Sequence, residues 1–103
     1  IYSMDGDAAP LMEICNIAKH YDAYVIVDEA HSTGVFGQHG EGLTVELNLQ
    51  NKAWARIHTF GKAIGSHGAI VVGSDTLRQY LINFSRPFIY TTAPPEHTLQ
   101  SID

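Results

Sequence analysis

Ala23-Tyr24-Val25-Ile26-Val27-Asp28-Glu29-Ala30-His31 is the stretch that decides the fold. Apolar and aromatic residues run unbroken from Tyr24 to Val27, and Asp28 and His31 follow. An apolar run this short, rich in β-branched residues and bounded by charge, predicts a strand buried on both faces. Such strands belong to parallel sheets covered by helices, and open sheets of that class bind ligands beyond the carboxyl ends of their strands. Asp28 therefore stands at the ligand-binding edge, with His31 on the turn beyond it. Glu29 should face away from Asp28, because neighbours in a strand point to opposite sides. The two carboxylates are not read as an acid/base pair.

The flanking segments alternate between the two periodicities. Ile1 to Met4 reads as the tail of a strand, and Asp5-Gly6-Asp7 as a turn. Leu11, Ile14, Cys15 and Ala18 form a helical stripe ending near His20, with Asp7 or a neighbour as cap and Pro10 in the first turn. Residues 32–42 carry Gly34, Gly37, Gly40 and Gly42 and read as a loop that needs permissive backbone angles. A short helical or irregular stretch follows over residues 43–49, then a strand over residues 56–59. Residues 61–68 form a second glycine-rich loop around Lys62, and residues 69–73 a third strand. Ser74 or Asp75 caps a helix with Leu77, Tyr80, Leu81 and Phe84 on its stripe, and Pro87 ends it. Residues 88–92 read as a fourth strand, and Pro94-Pro95 open a last helix. The alternation places the chain in the α/β class.

Composition narrows the function. The chain has 103 residues, enough for one small domain, with 45% hydrophobic and 17% charged residues, which marks it as globular. The net charge of −5, without a Lys/Arg cluster, argues against a nucleic-acid surface. No apolar run reaches the ~20 residues of a membrane span. Cys15 is the only cysteine, which excludes an internal disulfide and fits a reducing, cytoplasmic compartment. His20, His39, His58, His67 and His97 show no two-ligand spacing, so no metal is expected. The chain starts mid-pattern at Ile1 and reads as a piece of something longer.

Lys62 is the most informative single residue. Most lysines are solvated surface groups. This one follows a strand end, lies between Gly61 and Gly65, and has Phe60, Ala63 and Ile64 beside it. Desolvation there would lower its pKa, as Schiff-base chemistry requires. Asp28 is a turn carboxylate or the partner of a ligand cation, such as a pyridinium nitrogen. His31 is either solvated or turned back over the same site. Ser3, Thr59, Thr91 and Thr92 are hydroxyls at strand ends, where turn and capping roles are common.

Asp28-Glu29-Ala30-His31 also resembles the magnesium-binding strand of DEAH-type helicases. That reading needs a G-x-x-x-x-G-K-[ST] phosphate loop before the acidic strand. Ala63 follows Lys62, no glycine stands five positions before Gly61, and the order along the chain is reversed.

Four separated blocks fit another family in order. They are Tyr2-Ser3-Met4-Asp5-Gly6-Asp7-Ala8-Ala9-Pro10-Leu11, Val27-Asp28-Glu29-Ala30-His31-Ser32-Thr33-Gly34-Val35-Phe36-Gly37, Thr59-Phe60-Gly61-Lys62-Ala63-Ile64-Gly65 and Arg86-Pro87-Phe88-Ile89-Tyr90-Thr91-Thr92. Together they resemble the α-oxoamine synthases, pyridoxal-phosphate enzymes of fold type I. Phe60 in the lysine block favours the branch serving biotin synthesis over branches that more often carry Leu there.

The resemblance implies a fragment of the large pyridoxal-phosphate-binding domain, a mostly parallel sheet with flanking helices. It implies that Lys62 holds pyridoxal 5'-phosphate as a Schiff base and then serves as the base at the substrate's α-carbon. It puts Asp28 on the ring nitrogen, His31 and Ser3 near the phenolic oxygen, and Thr59 on the phosphate. Thr91 reaches the phosphate in the neighbouring subunit, which implies a homodimer. The implied substrates are an amino acid, L-alanine in that branch, and an acyl thioester, pimeloyl on coenzyme A or a carrier protein. The resemblance further implies that a ring-stacking residue, a glycine-containing loop and a small C-terminal domain lie outside residues 1–103, so that this piece alone is inactive.

Overall fold

The computed structural model describes residues 1–102; Asp103 lies outside the described residues. In chain order the elements are α1 (Leu11–His20), β1 (Ile26–Asp28), α2 (Leu43–Glu46), β2 (Ala55–Thr59), β3 (Ala69–Gly73), α3 (Asp75–Phe84), α4 (Arg86–Ile89) and α5 (Glu96–Gln100). The strands form one sheet in the order β1-β2-β3. β1 pairs with β2 in parallel, with Asp28 opposite Ile57, and β2 pairs with β3 antiparallel, with Thr59 opposite Ala69. The sheet is thus mixed rather than mostly parallel. The physical reason is the length of each connection. Residues 29–54 are long enough to cross over and re-enter in the same direction, whereas the short loop between β2 and β3 can only turn back.

The core lies against one face of this sheet. Leu11, Val27, Leu43 and Leu49 form a buried cluster, with Ile1, Ala9, Val25, Phe36 and Ala53 packed around it. Helix α1 supplies Leu11 and Cys15 from its apolar stripe. It starts at Pro10 without a side-chain cap. Asp7 instead gives its carbonyl oxygen to the Tyr2 N–H at 2.9 Å. That bond, with Gly6 N–H on the Tyr2 carbonyl oxygen at 3.0 Å, folds residues 2–7 into a turn, so no strand occupies residues 1–4. Helix α3 is capped as its sequence predicts, Ser74 Oγ accepting from Leu77 N–H at 3.2 Å. Of its stripe only Leu77 is buried; Tyr80 and Phe84 are exposed and stack at 4.9 Å between ring centroids.

Two further expectations are corrected. Strand β1 is covered on one face only: Val27 is buried, while Tyr24 and Ile26 are 78% and 57% exposed. Tyr24 rests on Trp54, with ring centroids 5.1 Å apart. The aromatic and β-branched residues 88–90 favour a strand by propensity, yet they lie in and just after α4. Pro87 explains the difference. It sits in the first turn of α4, where its missing N–H needs no acceptor, so the same residue that follows the end of α3 starts a new helix. No helix among the described residues is long and apolar enough to cross a membrane.

Leu49 is fully buried in the central cluster. Leu49→Ala in the protein carrying this chain is expected to lower its unfolding free energy by about 3 kcal/mol. Urea denaturation would measure this, and a loss below about 1 kcal/mol would place the core elsewhere.

Candidate active site

The parallel pairing of β1 and β2 sends both strands out of the sheet at the same edge. Asp28 is opposite Ile57, and Thr59 lies two positions beyond Ile57, on the same face as Asp28. Lys62 follows in a loop closed by Phe60 N–H on the Gly68 carbonyl at 3.0 Å and Ser66 N–H on the Phe60 carbonyl at 2.7 Å. Its tip is a turn in which Gly65 N–H reaches the Lys62 carbonyl at 3.0 Å, and Gly65 takes a φ of +67°. The loop after β1 passes directly against this tip. A Cβ on Gly34, which has φ +78°, would stand 2.9 Å from Ala63 Cβ. Only glycine allows that approach.

Asp28, His31, Thr59 and Lys62 therefore share one edge of the sheet. Asp28 Oδ1 accepts from Ala30 N–H at 2.8 Å, which shapes the turn that carries His31. Asp28, His31 and Lys62 are exposed. The desolvation expected for Lys62 is thus not supplied by the described residues. Thr59 Oγ1 is buried and has no hydrogen-bond partner among the described residues, a donor at this edge with nothing yet to donate to. Ser3 lies in the exposed turn near the start of the chain, and Thr91 just after α4 is also exposed. Neither hydrogen-bonds to the Asp28–Lys62 edge among the described residues. No group of His, Cys, Asp and Glu among them could hold a metal ion.

The opposite face of the same strands holds a buried polar network that the sequence pattern did not single out. Glu29 is 1% exposed. Its carboxylate accepts from Leu43 N–H at 3.1 Å, from Thr44 N–H at 2.9 Å and from the Ser32 hydroxyl. Burial pushes its pKa up, but the hydrogen bonds from Ser32, Thr44 and Leu43 outweigh it and hold the carboxyl below its ordinary 4.5. The fit is close on every side: a Cβ on Gly42, which has φ +106°, would stand 2.9 Å from the Glu29 carboxyl carbon. His58 is 8% exposed, with Nδ1 2.8 Å from Thr33 Oγ1. Burial holds its pKa below the ordinary 6.5; Glu29 pulls it upward, Arg56 lowers it further, and Asp28 opposes. The usable sequence signal was register. A histidine just before Thr59 must face away from it, toward the side on which Glu29 was already expected.

These shifts fix the pH response. His58 has a lower pKa folded than unfolded, so below 6.5 the unfolded chain takes up the proton first and stability falls as pH drops. Glu29 stabilises the fold above 4.5, and that contribution is lost as pH falls through its lower folded value. Thermal midpoints recorded from pH 7 to pH 5 are expected to fall less for His58→Asn than for the wild type. Parallel curves would exclude His58 as a buried neutral group.

The aminotransferase class I and II family model matches residues 1–103. An 8-amino-7-oxononanoate synthase of Emericella nidulans is 52% identical over 97 residues, covering 90% of this chain and 24% of that protein. The solved structure of SPT with its PLP internal aldimine superposes with a TM-score of 0.90 at 37% identity, over 98% of this chain and 25% of the other. The 8-amino-7-oxononanoate synthase structure from Francisella tularensis gives a TM-score of 0.84 at 34% identity, over 98% of this chain and 30% of the other. The chain thus spans about a quarter of the length of the curated relatives it matches. It belongs to the aminotransferase class I and II family.

Proposed function

We propose that residues 1–103 form part of the pyridoxal-phosphate-binding domain of an α-oxoamine synthase, and that the protein makes 8-amino-7-oxononanoate for biotin synthesis. One observation carries this reading. The parallel register brings a carboxylate, a partnerless buried hydroxyl and a loop lysine to one sheet edge, with Asp28 and Thr59 on one face. The names and identities of the relatives support it independently.

The residues present fit the cofactor. Lys62 Nζ would bond its aldehyde carbon. Asp28 would offer its carboxylate to the ring nitrogen and favour that nitrogen's cationic form. Thr59 Oγ1 has a hydroxyl hydrogen for a phosphate oxygen. His31 and Ser3 serve the phenolic oxygen, and Thr91 serves the neighbouring subunit of a homodimer. When bound, pyridoxal phosphate supplies an electron sink for negative charge developing at the substrate's α-carbon. Lys62 Nζ, as a free amine, would be placed to take the substrate's α-proton. His31 would polarise the acyl carbonyl. In sum, L-alanine and a pimeloyl thioester give the α-amino ketone, carbon dioxide and the free thiol. The setting is cytoplasmic.

Borohydride reduction of the protein carrying this chain, loaded with pyridoxal phosphate, is expected to leave a pyridoxyl adduct on the tryptic peptide containing Lys62. An adduct confined to other lysines would defeat the assignment. Substrate choice is read by product analysis. L-alanine with pimeloyl-CoA should release coenzyme A at least tenfold faster than glycine does. The TM-score of 0.90 to SPT favours one rival, an α-oxoamine synthase of another substrate range. Faster turnover of L-serine with a long-chain acyl thioester would select it.

A further inference from the structure

Backbone pairing between β1 and β2 ends early. The last bond of that kind is Glu29 N–H on the Ile57 carbonyl, at 2.8 Å. Beyond it, no backbone hydrogen bond among the described residues joins residues 32–42 to β2 or to the Lys62 loop. A single side-chain bond does so. Thr33 Oγ1 lies 2.8 Å from His58 Nδ1, and both residues are buried.

The direction of that bond follows from a count of hydrogens. Thr33 Oγ1 also lies 2.7 Å from the Glu29 carbonyl oxygen, which can only accept. A hydroxyl carries one hydrogen, and here it goes to Glu29. Thr33 must therefore accept from His58, which places the ring proton on Nδ1. Gly34, the next residue after Thr33, is the one that packs on Ala63 beside Lys62. The tie and the close approach are consecutive on the loop.

We propose that His58 is a positioning residue: by donating to Thr33 it registers the turn and loop that follow Asp28, His31 among them, against the strand and loop that carry Thr59 and Lys62. The proposal rests on reading this edge as the pyridoxal phosphate site. Such a site tolerates little slack, because a shift of about 1 Å in reacting groups can cost a hundredfold in rate. Glu29 ties both ends of that loop to β1, at Ser32 and at Leu43 and Thr44, but none of those bonds reaches β2. His58 supplies the missing constraint from the face opposite Asp28 and Thr59, so it takes no space from the ligand.

The test uses the whole protein that carries this chain. His58→Leu and Thr33→Val each remove the bond. His58→Asn keeps an N–H donor close to the position of Nδ1. In cofactor-free protein, hydrogen exchange at residues 32–36 is expected to speed up in His58→Leu and Thr33→Val, and to stay near wild type in His58→Asn. Pyridoxal phosphate affinity should fall about tenfold in the first two, fall no further in the double variant, and return to within about twofold in His58→Asn. A His58→Leu variant with unchanged exchange and affinity would overturn the proposal. So would additive losses in the double variant, or a His58→Asn protein as impaired as His58→Leu. Should the wild type bind no pyridoxal phosphate, the functional reading fails, while the exchange comparison still decides whether His58 holds the loop.

Discussion

A buried carboxylate organises the edge of this sheet. Glu29 is nearly inaccessible, and an ionised carboxylate in that position is costly unless its lone pairs are occupied. Three donors occupy them: Leu43 N–H, Thr44 N–H and the Ser32 hydroxyl. They belong to two constraints. The two amides are the first of α2 and would otherwise be orphaned at its N-terminus, with Gly42 ahead of them offering no side chain. Ser32 starts the loop that runs to Gly42. One side chain therefore closes a loop of Gly-rich sequence onto the strand that launches it. The glycines make that closure possible sterically, and Glu29 makes it specific.

Strand alternation then separates the buried network from the candidate site. Val27, Glu29 and His58 face the core side, where hydrophobic burial and satisfied hydrogen bonds fix their positions. Asp28 and Thr59 face the other side, where one is exposed and the other has a hydroxyl without a partner among the described residues. A one-residue slip of β1 against β2 would exchange these roles and bury Asp28 without donors. The network around Glu29 and His58 is what makes that slip unfavourable. The rule that neighbours in a strand point apart, which kept Asp28 and Glu29 from being paired as acid and base, thus also explains why both carboxylates are needed.

Much of this was legible before any coordinates. The apolar run to Asp28, the Lys62 loop between glycines and the helical stripes of α1 and α3 all carry strong local signals, and a strand, a loop and two helices formed there, though β1 is shorter and less buried than its run suggests. The failures share a cause. Residues 88–90 have strand propensity, but propensity cannot say whether a partner strand is there, and Pro87 served equally well as a helix start. Residues 1–4 look extended until the Tyr2–Asp7 bond closes them into a turn. The Thr33–His58 tie joins residues far apart in sequence, and no motif pairs them. Its only trace was the register that puts His58 and Glu29 on one side.

The exposed apolar side of the sheet connects fold to function. The surface area is 7650 Å², against about 5,700 Å² for a self-contained protein of this mass. The radius of gyration is 14.6 Å, against about 12.8 Å for a compact chain of this length. Tyr24, Ile26, Tyr80, Phe84 and Tyr90 are among the large side chains left in water. This excess is what a piece shaped to pack against further structure would show, in keeping with its span of a quarter of its relatives. It includes Lys62, which these residues leave exposed in the loop beyond β2.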